Sequence, residues 1–246
     1  MSDRPTDNLY RSLYVPGAVQ VRNDGDGDGG PLARLDILFA RFGQWNEIDS
    51  YWEGRFLERL APGAFTKTMQ ERAGSIVSLF NHGHDPQIGD KVLGEIVDMG
   101  ERADGPFIHL DLDDTSYNRD LLPALSRGAY GASYMFRVIK EDWNDAPERS
   151  DANPAQLPER TISEVKLYEA GPVTFPADES TIVGLRSETD RFNLSALRFA
   201  ARAAEEGTRH EEDAATSNTP NKPPEGHSSG LTISQARARL IEIGAA

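Results

Sequence analysis

A hydroxyl stands among apolar and aromatic neighbours in the stretch from Gly128 to Val138, which reads Gly-Ala-Tyr-Gly-Ala-Ser-Tyr-Met-Phe-Arg-Val. The hydroxyl is that of Ser133. In such a run a serine is ordinarily a small filler bonded to nearby backbone. It becomes a nucleophile only where a base takes its proton, so the question passes to the histidines. There are five: His82, His84, His109, His210 and His227. The last two fall in or beside a polar tail, and His109 alternates with Ile108 and Leu110 next to Asp111. His82 and His84 follow a short apolar run and precede Gly- and Pro-marked loop sequence, a junction of rigid scaffold and loop where function often sits. They are the candidate bases. A His-Gly-His pair also suggests two metal ligands. A metal site needs a third and fourth ligand, however, and none is spaced convincingly.

The elements that must position these groups follow from periodicity. Along a strand, side chains alternate between faces, so Tyr134, Phe136 and Val138 share one face and Ser133, Met135 and Arg137 the other. Residues 32–42 read as a mostly buried strand, 51–60 as a second, and 61–72 as a short helix with Pro62 at a favourable early position. Residues 76–80 form a short apolar strand running into Asn81 and His82. Further strands are expected at 95–99, at 107–112 with Ile108, Leu110 and Leu112 on one face, and at 161–169 with Val165 and Leu167 inward. Tyr117, Leu121, Leu122 and Leu125 recur at helical spacing before Gly128, a helix stop. Residues 187–206 read as an amphipathic helix in which Ser187 and Asp190 approximate a capping box.

Composition bounds the rest. A chain of 246 residues with 38% hydrophobic content suits one compact domain with polar extensions. The expected boundaries are a flexible leader at 1–31, a domain at 32–185, the helix at 186–206, an acidic disordered linker at 207–229 and a short helix at 230–246. The leader's Asn-Asp-Gly run resembles a calcium loop. Counting from Asn23, however, the twelfth position is Arg34 where a bidentate Glu is required, so a linker or turn is the reading. No apolar run approaches the ~20 residues that span a bilayer, and no signal-peptide pattern opens the chain. The net charge of −14 repels nucleic acid. The absence of cysteine excludes disulfides, thiol nucleophiles and thiolate metal sites.

Four blocks together resemble the prohead maturation proteases of tailed bacteriophages, whose fold is similar to that of the herpesvirus assembly proteases. They are residues 54–65 (Gly-Arg-Phe-Leu-Glu-Arg-Leu-Ala-Pro-Gly-Ala-Phe), Leu79-Phe80-Asn81-His82 with Ile88-Gly89 and Leu93-Gly94, residues 125–138, and Leu167-Tyr168-Glu169 with Val173-Thr174-Phe175-Pro176-Ala177. Gly171-Pro172 departs from the pattern where a regular strand is expected. The resemblance implies an α+β fold, a largely antiparallel, barrel-like sheet with surrounding helices. It implies a serine endopeptidase without cofactor or metal, with Ser133 as nucleophile, His82 rather than His84 as base, and Glu169 as the third member with Glu164 as competitor. Glu58 reads as a structural acid, and Arg137 as a strand arginine paired with a surface acid. The implied substrates are phage scaffold and major capsid protein, cut inside an assembling procapsid in the host cytoplasm, with self-cleavage. A homodimer is a further expectation, and neither nucleic acid nor membrane is an expected partner. The alternatives are a catalytically silent capsid- or scaffold-binding protein and a metal-dependent hydrolase using His82 and His84.

Overall fold

The computed structural model describes residues 4–22, 30–174 and 185–192. The chain divides into two units, Met1–Asp190 and Arg191–Ala246, and every element below belongs to the first. Its strands are β1 (Leu9–Leu13), β2 (Val19–Arg22), β3 (Ala33–Leu38), β4 (Asn46–Ser50), β5 (Gly54–Leu60), β6 (Gly94–Glu101), β7 (Pro106–Leu112), β8 (Tyr130–Asn144), β9 (Glu159–Thr174) and β10 (Leu185–Ser187). The helices are α1 (Thr66–Arg72) and α2 (Ser116–Ser126). The strands form two sheets, ordered β10-β1-β8-β9-β5-β4 and β2-β3-β7-β6. All pairings are antiparallel except β5 with β9. The class is α+β as expected. Among the described residues the barrel-like sheet is not observed, because both sheets are open, the larger ending at β10 and β4 and the smaller at β2 and β6.

The inward faces of both sheets contribute to one buried cluster. Strand β7 alternates strictly, with Ile108, Leu110 and Leu112 fully buried beside Leu35 and Ile37 of β3, its partner strand. The larger sheet contributes Leu9, Leu13, Ala132, Tyr134, Phe136, Val165 and Leu167 to the same cluster. Phe39, Phe65 and Tyr134 meet ring to ring at 5.4–5.6 Å. Each such ring contributes roughly 1.5–3 kcal/mol through burial. The charge on β7 goes to the other face. There His109 and Asp111 lie beside Asp36 and Arg34, with Arg34 bidentate to Asp111 and Arg102 bonded to Asp36 and His109.

Three local expectations are revised. The expected leader at 1–31 holds β1 and β2, and β1 is an interior strand between β8 and β10. Pro62 precedes Gly63, whose φ of +88° breaks any helix, so α1 starts at Thr66. The Glu101 carboxylate accepts from the amides of Gly63 and Phe65 at 2.7 and 2.8 Å, tying down the turn that leads into α1. Ser187 ends β10, and the helix begins only at residue 189. Asp190 does not close a capping box there. It accepts from the Ser50 hydroxyl and from the amides of Tyr51 and Trp52, fixing the β4–β5 turn. The calcium-like run at 23–29, the helix beyond 192, the linker at 207–229 and the helix at 230–246 lie outside the described residues.

Strand β1 is anchored by charge. Its inward residues are Leu9, Arg11 and Leu13, opposite Phe136, Tyr134 and Ala132. The Arg11 guanidinium is fully buried and bonds both oxygens of Glu53 and of Glu58 at 2.6–3.0 Å. Arg160 donates to Glu58 at 3.2 Å. Glu58 is thus a structural acid, as expected. Burial alone would raise the Glu53 carboxyl, but Arg11 overrides burial and holds it below its ordinary 4.5. A carboxyl lowered on folding adds stability above its unfolded value, and that stability is lost as pH falls through the depressed folded value. Replacing Glu53 by Gln is therefore expected to lower Tm at pH 7 by roughly 5–10 °C. The gap to wild type should narrow below about pH 4.5. Thermal melts of both proteins from pH 3 to 7 check this, and a constant gap would contradict it.

Candidate active site

Ser133 lies within β8, its backbone opposite Ser12 of β1 on one side and Gly171 of β9 on the other. Tyr134, Phe136 and Val138 point into the core, and the pleat sends Ser133 to the opposite face, as the alternation predicts. The nearby glycines have separate causes. Gly128 takes a φ of +66° after α2, a conformation costly for other residues. At Gly131 a Cβ would fall 2.5 Å from the Tyr14 ring and 2.9 Å from the Leu13 carbonyl, so no side chain fits between β8 and β1.

His82 arrives from outside the sheet. Residues 76–80 do not form the expected strand. Only Val77 bridges to β9, donating to the Tyr168 carbonyl and accepting from the Ala170 amide. The chain then turns through the 3-10 segment Asn81–Gly83 with φ values of +49°, +56° and +76°. Left-handed backbone at two consecutive non-glycine residues is strained by about 1–3 kcal/mol each, and it persists because the turn is tied down. Asn81 Oδ1 accepts from the Thr174 amide at 2.9 Å and from its hydroxyl at 3.2 Å, which fixes the turn to the end of β9. The His82 ring is thereby aimed at Ser133, with its Nε2 2.5 Å from the Ser133 Oγ.

Glu169 stands behind the imidazole, one carboxylate oxygen bonded to His82 Nδ1 and the other accepting from the Leu79 amide at 3.3 Å. An ionised carboxylate can only accept, so Nδ1 carries hydrogen and Nε2 is left to accept from the Ser133 hydroxyl. Strict alternation would put Glu169 in the core, on the face of Val165 and Leu167. The structure shows a β-bulge. Phe136 faces Leu167 while Met135 faces Glu169, leaving Tyr168 as the extra residue. One added residue turns all later side chains to the other face, and Glu169 joins the face of Ser133. Strand β9 then continues regularly through Gly171-Pro172 to Thr174, so the strand there is regular despite the departure at these two residues. A Cβ on Gly171 would lie 2.2 Å from the Leu79 carbonyl, so the glycine admits the segment that carries His82.

The other candidates fall elsewhere. Glu164 pairs with Lys140 and, at 3.0 Å, with Lys67. Hydrogen bonds from Lys140 and then Lys67 hold its carboxyl below the ordinary range, and it is a largely buried structural acid remote from Ser133. Arg137 is half-exposed and 3.7 Å from Asp7. His109 is bound within the Asp36–Arg102 cluster. Both His82 ring nitrogens are engaged, and among the described residues no three His, Cys, Asp or Glu side chains are grouped to hold a metal. No helix among them is long and apolar enough to cross a membrane. Strand β1 does not stand out in the periodicity of the sequence. From it the Ser12 hydroxyl reaches Ser133 Oγ at 3.0 Å, the Arg11 carbonyl accepts from Ser133 at 2.8 Å, and the Tyr10 ring packs edge-on against His82 at 4.9 Å. Burial and the charge of Glu169 push the Tyr10 hydroxyl up to about 12. The available signal was Leu9-Tyr10-Arg11-Ser12-Leu13, a period-two pattern hidden by an arginine in an inward position.

The Asn81 anchor makes a separable prediction. Asn81→Gly keeps the left-handed turn and loses the tie to Thr174, whereas Asn81→Ala loses both. Asn81→Ala is expected to be the less stable by about 1 kcal/mol, measured by denaturant unfolding. Equal stability of the two variants would mean that the turn carries no strain.

Among solved structures, the chain is similar to the capsid assembly protease gp21 of bacteriophage T4, with 12% identity and a TM-score of 0.45 over 69% of this chain and 98% of that one. No curated protein sequence matches the chain. Residues 34–194 match the model of the caudovirus prohead serine protease family. With that match covering well over half its length, the chain belongs to the caudovirus prohead serine proteases.

Proposed function

We propose that this chain is a serine endopeptidase that trims capsid and scaffold segments during procapsid maturation, with Ser133 as nucleophile, His82 as general base and Glu169 as the group that orients the imidazole. The hydrogen-bonded line from Glu169 through His82 to Ser133 Oγ carries this reading. As Oγ bonds to the scissile carbonyl carbon, its proton passes to His82 Nε2. When the C–N bond breaks, that proton goes to the leaving amine. Water then attacks the acyl-enzyme, giving its proton to His82, and the ester bond to Oγ breaks with return of the proton to Ser133. Glu169 holds the tautomer and stabilises the imidazolium throughout.

Ser133 is 1% exposed, so its hydroxyl is held among its hydrogen-bond partners and away from bulk solvent. Capsid and scaffold proteins are the substrates that family membership supports. Self-cleavage belongs to the same reading, with the acidic 207–229 segment as the site of cutting.

A fluorophosphonate reagent is expected to label Ser133 in wild type, and Ser133→Ala should remain unlabelled, by peptide mass mapping. Glu169→Gln is expected to lower turnover of a peptide substrate by a factor on the order of 10⁴. Glu164→Gln should leave it within a few-fold. Equal losses in the two glutamate variants, or labelling at another residue, would overturn the assignment.

A further inference from the structure

We infer that Ser12 is a further catalytic residue, a hydrogen-bond donor to the nucleophilic oxygen itself, supplied by a strand that lies before the family-matched region 34–194. The inference rests on the reading of Ser133 as nucleophile. Ser133 has one hydroxyl hydrogen and three polar atoms around its Oγ: His82 Nε2 at 2.5 Å, the Arg11 carbonyl at 2.8 Å and Ser12 Oγ at 3.0 Å. The carbonyl can only accept, and His82 Nε2 must accept for the base to work. The Ser133 hydrogen therefore serves one of these two, and Ser12 must be the donor in its pair with Ser133. Ser12 is fully buried, which shields its hydrogen from bulk water.

The donation matters when charge sits on Oγ. That happens twice: as the proton leaves for His82 before the C–O bond is complete, and as the C–O bond of the acyl-enzyme breaks with Oγ as leaving group. A fixed donor in a dry site stabilises such charge without reorganising. It also occupies a lone pair of Oγ and so sets the direction in which the remaining lone pair meets the substrate carbonyl. The Arg11 carbonyl acts in the opposite sense, because a hydroxyl turned towards it is turned away from His82. Strand β1 thus presents both a donor that favours the reactive state and an acceptor that favours the resting one, and the Arg11 side chain holds the strand in register.

The test uses the full chain and the rate of fluorophosphonate labelling at Ser133, which needs no knowledge of the cleavage sequence. Ser12→Ala removes the hydroxyl from a fully buried position, and Ser12→Thr keeps it on a residue suited to strands. Ser12→Ala is expected to label about ten- to a hundredfold more slowly, with Ser12→Thr recovering most of the rate and melting curves confirming that both are folded. Labelling of Ser12→Ala at the wild-type rate overturns the inference, as does equal slowing in folded Ala and Thr variants, which would indicate strand packing alone. If the label on wild type maps away from Ser133, the underlying assignment of the nucleophile fails instead, so the two failures are distinguishable.

Discussion

Strand β8 is bonded along its length by β9 and, over Ala132–Phe136, by β1 on the other side, and around Ser133 its pleat cannot turn without breaking both ladders. That constraint decides what Ser133 can be. Its neighbours Tyr134 and Phe136 belong to the buried core, and burying them holds Ser133 on the outer face at a fixed height. A side chain on a central strand is placed more rigidly than one on a loop, and a proton transfer over hydrogen-bond distance needs such placement. The bulge at Tyr168 complements this. It lets a strand that buries Val165 and Leu167 present Glu169 on the face of Ser133, at the cost of one unpaired position.

The same ladders connect the core's charge to the site. Arg11 and Ser12 are adjacent residues on opposite faces of β1. Arg11 is fixed inside by Glu53 and Glu58, and removing one partner of such a buried pair costs on the order of 3–5 kcal/mol. Ser12 and the Arg11 carbonyl are consequently held against Ser133 by an ionic anchor on the far side of the sheet. His82 is held differently, by a strained turn tied through Asn81 to Thr174. Two rigid strands and one strained turn therefore converge on a single hydroxyl oxygen.

Much of this was legible in the sequence wherever one physical rule dominated. The alternation of β7 and β8, the helical spacing in α2 and the helix stop near Gly128 all appear as read. Choosing His82 over His84 rested on resemblance to a family, and only His82 lies against Ser133. The choice between Glu169 and Glu164 stayed open because a bulge adds a residue without changing composition, so parity counted from Val165 misleads. Strand β1 was hidden because its inward position Arg11 looks like a solvent residue until Glu53 and Glu58, distant in sequence, are brought to it. The barrel-like sheet was carried over by resemblance, whereas the described strands pair into two open sheets.

The Ser133 hydroxyl is the proposed nucleophile of this prohead serine protease. The most direct measurement is co-expression of the chain with its major capsid protein, wild type beside Ser133→Ala, with intact-mass analysis of both proteins. Shortened products with wild type and full-length masses with the variant are the expected outcome. Identical trimming by the two would contradict it, because another group would then be cutting the chain.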